Sequence, residues 1–158
     1  MAEGSQLYIL TELQQENMLT VVAALIESEG KLLVCQRRRD DTFALMWEFP
    51  GGKKKPGETP AEALARELRE ELGVAARIGP EIYRTRHKYL QMTEPIELIF
   101  FQASLEGPEI QNLAFETMEW RAPATLTELN FLPADRDLIE RLSQGVLRIG
   151  GLSSRETD

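Results

Sequence analysis

The amino-acid sequence predicts an α/β sandwich built on a mixed sheet. Three observations carry that prediction. Apolar, β-branched runs recur as strand candidates, one long amphipathic segment with explicit helix punctuation interrupts them, and a shorter helical pattern follows the last of them. With 158 residues the chain can bury a core without staples, and it reads as one domain over residues 18–145, an extension at 1–17 and a tail at 146–158.

Residues 1–17 lean polar and lack a basic segment followed by an apolar run, so no signal peptide is expected. Residues 19–26 (LTVVAALI) and 31–35 (KLLVC) are strand-like and separated by the turn residues 28–30 (SEG), which predicts a hairpin. Residues 37–41 (RRRDD) form a charged loop, and 46–50 (MWEFP) a short strand that ends at proline and two glycines. A helix follows: Thr59 suits the N-cap, Pro60 the first position, Glu62 completes a capping box and Gly73 supplies the stop. Residues 76–86, 96–105 and 117–121 read as further strands. At 135–144 (DRDLIERLSQ), Leu138, Ile139 and Leu142 recur at helical spacing.

The net charge of −8 argues against a nucleic-acid polymer as partner, since a phosphate backbone demands a basic face. It leaves room for a small phosphorylated ligand approached through divalent cations. No stretch approaches eighteen consecutive apolar residues, so no membrane span is expected. One cysteine, Cys35, agrees with a reducing, cytoplasmic setting, and its apolar run makes it a small buried residue rather than a nucleophile. A homodimer is a candidate assembly, with the N-terminal extension as a contact.

The acidity is concentrated on the long helix. At about 100° per residue, Glu67, Glu70 and Glu71 share one stripe roughly 100° wide, beside a second stripe of Leu64, Leu68 and Leu72 with Ala61 and Ala65. Arg66 precedes Glu70 by four residues and can pair with it. Carboxylates so close repel each other, whereas Mg²⁺ seeks hard oxygen ligands of this kind, commonly one or two carboxylates plus substrate phosphates. Taken alone, the stripe equally suits a solvated helix face. The preceding loop tilts the balance: Gly51–Gly52 lets backbone approach a ligand closely, and Lys53 is the best placed of three lysines to meet phosphate.

These residues carry a resemblance. The pattern Gly52-x5-Glu58-x7-Arg66-Glu67-Leu68-x-Glu70-Glu71-x-Gly73-Val74 is similar, position for position, to the Nudix box, with a chance probability on the order of 10⁻⁷ from usual residue frequencies. The resemblance implies the Nudix α/β/α sandwich with a mixed β-sheet, and Mg²⁺-dependent hydrolysis of a nucleoside diphosphate linkage, Mn²⁺ being an expected substitute. It implies Glu67, Glu70 and Glu71 as metal ligands, the Gly51 carbonyl as a further one, Glu58 as a supporting acid and Arg66 as the residue that orients the acids.

Flanking segments, VVAALI, LLVCQRR, WEFPGGK and FLPADRDLI, resemble the MutT and CTP pyrophosphohydrolase branch over residues 18–143. In that branch the arginine at the place of Arg37 contacts phosphates, and the polar residue at the place of Asp135 faces the base. Aspartate there points to an amino-bearing base such as cytosine, although a helix N-cap suits Asp135 equally well. Phe131 and Leu132 are candidates to pack on the base, with core packing expected for at least one. Some relatives bear an acid where this chain has Ala114, so Glu116 is the substitute candidate for a metal ligand. An arginine that contacts the base in some MutT enzymes falls near Glu94. Tyr89 is either strand packing or a mark of dinucleoside-polyphosphate hydrolases, and His87 is expected as a surface strand residue. The resemblance thus implies nucleoside triphosphate hydrolysis to monophosphate and pyrophosphate. A dinucleoside polyphosphate or nucleotide-sugar hydrolase and a non-catalytic nucleotide-binding module are the alternatives.

Overall fold

In the computed structural model, residues 18–90, 93–107 and 109–149 are described. The expected extension and residues 150–158 lie outside the described residues. Strands β1 (Leu19–Ser28) and β2 (Lys31–Gln36) form the predicted hairpin, and its turn holds Glu29 and Gly30 at φ 52° and 79°. Two left-handed residues in succession match the right-handed twist of the flanking strands. The strand expected at 46–50 is shortened to β3 (Trp47–Glu48), and the glycines expected to end it open a further strand, β4 (Gly51–Lys53). Pro50 interrupts them: it has no N–H to give, and its carbonyl accepts from the Ala24 N–H at 2.9 Å.

Helix α1 (Pro60–Leu72) begins as its sequence dictates. Thr59 Oγ1 accepts from the Glu62 N–H at 3.1 Å, the Thr59 N–H donates to Glu62 Oε1 at 2.8 Å, and Gly73 ends the helix at φ 69°. After it come β5 (Ala76–His87), β6 (Ile96–Leu105), β7 (Thr117–Arg121), two 3-10 turns (Pro123–Glu128 and Pro133–Asp135) and α2 (Arg136–Ser143).

The sheet runs β3-β2-β1-β6-β5, with β4 also on β1 and β7 also on β2. β1 and β6 are parallel, from Leu19 facing Ile96 to Ile26 facing Ala103, and the other pairs are antiparallel. The alternation along β1 sorts the core. Val22, Ala24 and Ile26 pack with Leu64, Leu68 and Leu72 of α1, while Ala23 and Leu25 pack with Leu138, Ile139 and Leu142 of α2. One helix therefore covers each face, as an α/β/α sandwich requires. Cys35 is fully buried on the α1 side, and burial pushes its thiol pKa up.

Two details depart from expectation. Ala63 is fully buried on α1, whereas Ala61 and Ala65 are only half-buried. Ala63 falls beside Glu67 on the helical wheel, so the acidic stripe is itself packed against protein rather than fully solvated. Beyond α2, Ile149 is buried in the core, so packing continues past residue 145.

Candidate active site

Arg66 is the hub of the acidic stripe. Its Nε and Nη2 donate to the two oxygens of Glu58 at 2.6 and 3.0 Å, and Nη1 donates to Glu67 at 2.9 Å and to both oxygens of Glu70 at 3.3 Å. Nη2 also reaches the Lys53 carbonyl at 3.0 Å, tying the glycine-rich strand to the helix. A planar guanidinium with five fixed donors suits this work better than an ammonium would. Glu58 gains a further bond from the Lys55 N–H at 2.8 Å, and the pairing with Arg66 lowers its pKa to about 2. The Glu58 bonds push the Arg66 pKa further up.

Glu71 lies in a different setting. It is largely buried, and its Oε1 accepts from the Gly51 N–H at 2.9 Å. Burial and then the Glu67 charge raise its pKa to about 9, against the opposing effect of the Gly51 bond. Gly52 explains how Glu67 comes so close: a Cβ on residue 52 would stand 2.4 Å from Glu67 Oε2 and would push that carboxylate aside.

Gly51, Gly52, Lys53 and Glu71 open onto a cavity of about 470 Å³, which Tyr89 and Asp135 also line. Asp135 is 4% exposed and makes no capping hydrogen bond, so the N-cap reading fails: it stands at the helix start in αR backbone. Burial, and then the charge of Glu48, push its carboxyl well above the usual range. Tyr89 packs against Phe43, with ring centroids 4.9 Å apart, and edge-on to His87 at 4.4 Å. His87 is thus half-buried under an aromatic neighbour rather than a bare surface residue.

Other expected site residues are placed elsewhere. Phe131 is 2% exposed and stacks on Phe49 at 5.5 Å in the core, and Leu132 takes the position on the cavity wall. The bridge between Phe131 and Trp47 fixes this choice, because neighbouring residues of an extended segment point opposite ways. Glu116 is paired with Arg39 at 2.9 Å, and Ala114 and Phe115 line the wall instead. The hydrogen bond from Arg39 also lowers the Glu116 pKa.

Two residues on the cavity escaped the sequence reading. Glu48 faces the cavity, and both its oxygens accept from Arg37 Nη1, at 3.0 and 3.1 Å. An acid between Trp47 and Phe49 on a short apolar strand was the available signal, since alternation sends Glu48 away from the side on which Trp47 is buried. Phe43 is the second. It sits on the β2–β3 loop at φ 54°, two residues from Leu45 at φ 62°. Non-glycine residues there cost about 1–3 kcal/mol each and persist only when surrounding contacts hold them. No sequence signal marks it.

Arg37 lines the cavity, and its guanidinium is held by its own loop. Besides Glu48, it donates through Nε to the Thr42 carbonyl at 2.7 Å and through Nη2 to Thr42 Oγ1 at 3.1 Å, and Nη2 lies 3.1 Å from Asp41 in an ion pair.

Comparison with known proteins agrees with this geometry. The sequence profile of the NUDIX domain matches residues 16–142. Over 123 residues the chain is 37% identical to the CTP pyrophosphohydrolase of Escherichia coli, covering 78% of this chain and 90% of that protein. It is 34% identical over 128 residues to the 8-oxo-dGTP diphosphatase of Haemophilus influenzae, covering 80% and 93%. The solution structure of a MutT protein of the Nudix hydrolase family from methicillin-resistant Staphylococcus aureus superposes with a TM-score of 0.66 at 32% identity, covering 82% of this chain and 98% of that one. With a packed box of acids, a sandwich fold and relatives matched over nearly their whole length, the chain belongs to the Nudix hydrolase family, in its MutT-like branch.

Proposed function

We propose that the protein hydrolyses a nucleoside triphosphate to nucleoside monophosphate and pyrophosphate with Mg²⁺, and that an amino-bearing base such as cytosine is preferred. The observation that carries this reading is one continuous arrangement. Acids organised by Arg66 meet the cavity through Gly51, Gly52 and Glu71, and a buried carboxyl without a capping or ion-pair partner, Asp135, lines the same cavity.

The donor set suits a hard divalent cation. A buried carboxyl whose pKa is raised to about 9 by burial and by Glu67 ionises near neutral pH only when a positive charge joins it. Among the described residues no three acids are placed to hold a metal by themselves. An ion held here would therefore need phosphate oxygens and water to complete its ligands. Glu70 and Glu71, with Glu67 and the Gly51 carbonyl, are the residues assigned to hold it. Bound there, Mg²⁺ would neutralise phosphate oxygens and lower the pKa of a water.

The chain's own residues do the rest. Arg66 keeps Glu58, Glu67 and Glu70 in fixed rotamers before substrate arrives, which removes reorganisation from the barrier. Water attacks the β-phosphorus, the bond to the α-bridging oxygen breaks, and a glutamate of the cluster accepts the water proton. Lys53 stands on the cavity rim for the phosphates. In its protonated form, which burial favours, Asp135 presents one donor and one acceptor, which complements the ring nitrogen and exocyclic amine of cytosine.

A panel of unmodified, oxidised and methylated nucleoside triphosphates, ADP-ribose and dinucleoside polyphosphates tests the reading, each with Mg²⁺ and products resolved by chromatography. A cytosine nucleotide is expected to outrank 8-oxo-dGTP. The reverse order would remove the base assignment, and leave the reaction class standing if pyrophosphate is still released.

A further inference from the structure

We infer that Asn112 is a positioning residue for the metal end of the site: its side chain closes the turn whose backbone grips the carbonyl of Glu71. The inference rests on the metal-dependent reading above and extends it to a residue outside both the acid stripe and the cavity.

The last carbonyls of a helix have no partner within it and take one from outside. Residues 111–116, which precede β7, supply that partner to α1. The Gln111 N–H donates to the Leu72 carbonyl at 2.9 Å, and the Leu113 N–H donates to the carbonyl of Glu71 itself at 3.0 Å. Asn112 lies between these two donors, and its side chain sets the turn. Its Oδ1 accepts from the Phe115 N–H at 2.9 Å and, more weakly, from the Ala114 N–H at 3.4 Å, while Nδ2 donates to the Phe115 carbonyl at 3.0 Å. An amide carries both an acceptor and donors, so one side chain meets both backbone groups of Phe115. The far end of the turn is tied to β2, where the Glu116 N–H donates to the Gln36 carbonyl at 2.9 Å. Arg38 Nη2 adds a bond to the Leu113 carbonyl at 3.4 Å.

The turn reaches Glu71 in two ways. Leu113 fixes its carbonyl, and Ala114 and Phe115 line the cavity onto which its carboxyl opens. Phe115 is buried in the same core cluster as Leu68 and Leu72, so the turn cannot shift without disturbing the neighbours of Glu71 on α1. Asn112 itself is exposed and adds nothing to that core, so its three bonds serve the turn alone. Removing a group that orients a metal ligand typically costs about 10–100-fold in metal affinity.

Mn²⁺ affinity of nucleotide-free protein, read by electron paramagnetic resonance, tests the inference on Asn112→Ala, Asn112→Gln and Asn112→Asp. Alanine removes the three bonds, and glutamine keeps the amide on a stem too long for the turn. Aspartate keeps the acceptor for both N–H groups. Positioning predicts an affinity lower by about tenfold in the first two variants and within about threefold of the unaltered protein in the third. Unchanged affinity in folded Asn112→Ala or Asn112→Gln overturns the inference, and so does a loss in Asn112→Asp equal to that in Asn112→Ala.

Amide hydrogen exchange reads the same coupling with no substitution at all. Coupling is reciprocal, so a turn that raises metal affinity is itself held shut by the metal. Mg²⁺ should slow exchange of the Leu113 amide by about fivefold or more. Metal coupling of this size in a protein that releases no pyrophosphate from any triphosphate would support the inference and count against the substrate reading alone. A Leu113 amide indifferent to Mg²⁺ would overturn the inference even if every variant misfolded.

Discussion

The acid cluster and the cavity wall beside it, two ends of one candidate site, are built on opposite plans. At the acid end, one helix and the loop before it supply Glu58, Arg66, Glu67, Glu70 and Glu71 within fourteen consecutive positions, and Arg66 binds three of these acids directly. At the base end, Arg37, Phe43, Glu48, Tyr89 and Asp135 come from segments spread over about a hundred residues, and the sandwich alone brings them together. A local constellation is fixed by helical spacing. A dispersed one depends on the loops, where a few bonds decide which side chain faces the ligand.

That contrast orders the expected effects of mutation. Gly52→Ala strikes the acid end through sterics alone, since its Cβ would overlap the Glu67 carboxylate. Displacing a catalytic group by about 1 Å costs on the order of 10²-fold in rate, so kcat should fall by about that factor with the fold intact by circular dichroism. A fall below threefold would mean that Glu67 has no fixed role. Asp135→Asn at the base end should leave kcat within severalfold and change the ratio of kcat/KM between cytosine and other nucleotides by about tenfold or more. Equal losses on all bases would place Asp135 outside recognition.

A smaller effect separates the two ends by pH. In metal-free protein, Glu71 has its folded pKa raised to about 9 from an ordinary value near 4.5, by burial and by Glu67. The folded state therefore holds a proton that the unfolded state has released. The contribution of that proton is fully present below about pH 4.5 and is lost as pH rises toward 9, at no more than about 1.4 kcal/mol per unit. Urea melts between pH 5 and 9 with chelator should show stability declining. Glu71→Gln should flatten the decline, and Mg²⁺ plus nucleotide should offset it. Glu58 runs the other way: Arg66 lowers its pKa to about 2, so its contribution is present above the ordinary carboxylate range and fades as pH falls toward 2. The smallest effect belongs to the helix start, where Thr59→Ala should cost about 1 kcal/mol of stability by removing the cap while leaving base preference untouched.

The same contrast explains what the sequence makes legible. Order and type of the strands, the capped helix and the acid stripe follow from patterns within a few residues of one another. Val22, Ala24 and Ile26 alternate against Leu64, Leu68 and Leu72 because period two meets period 3.6 at a common core. Failures fall where the fold chooses between neighbours. Phe131 and Leu132 are both apolar, and only the bridge to Trp47 turns the phenylalanine inward. Asp135 sits where a cap belongs, yet its αR backbone denies it the capping bond. Glu116 is claimed by Arg39, a partner 77 positions away. Phe43 was invisible because its position rests on a strained loop rather than on any periodic pattern.

The most direct test of the central claim compares the protein with Glu71→Gln at saturating Mg²⁺, following nucleoside monophosphate and pyrophosphate from the preferred triphosphate. The account predicts pyrophosphate release by the unaltered protein and a loss of about 10²–10⁴-fold in kcat in the variant. Near-normal turnover by Glu71→Gln, or release of inorganic phosphate in place of pyrophosphate, would contradict it.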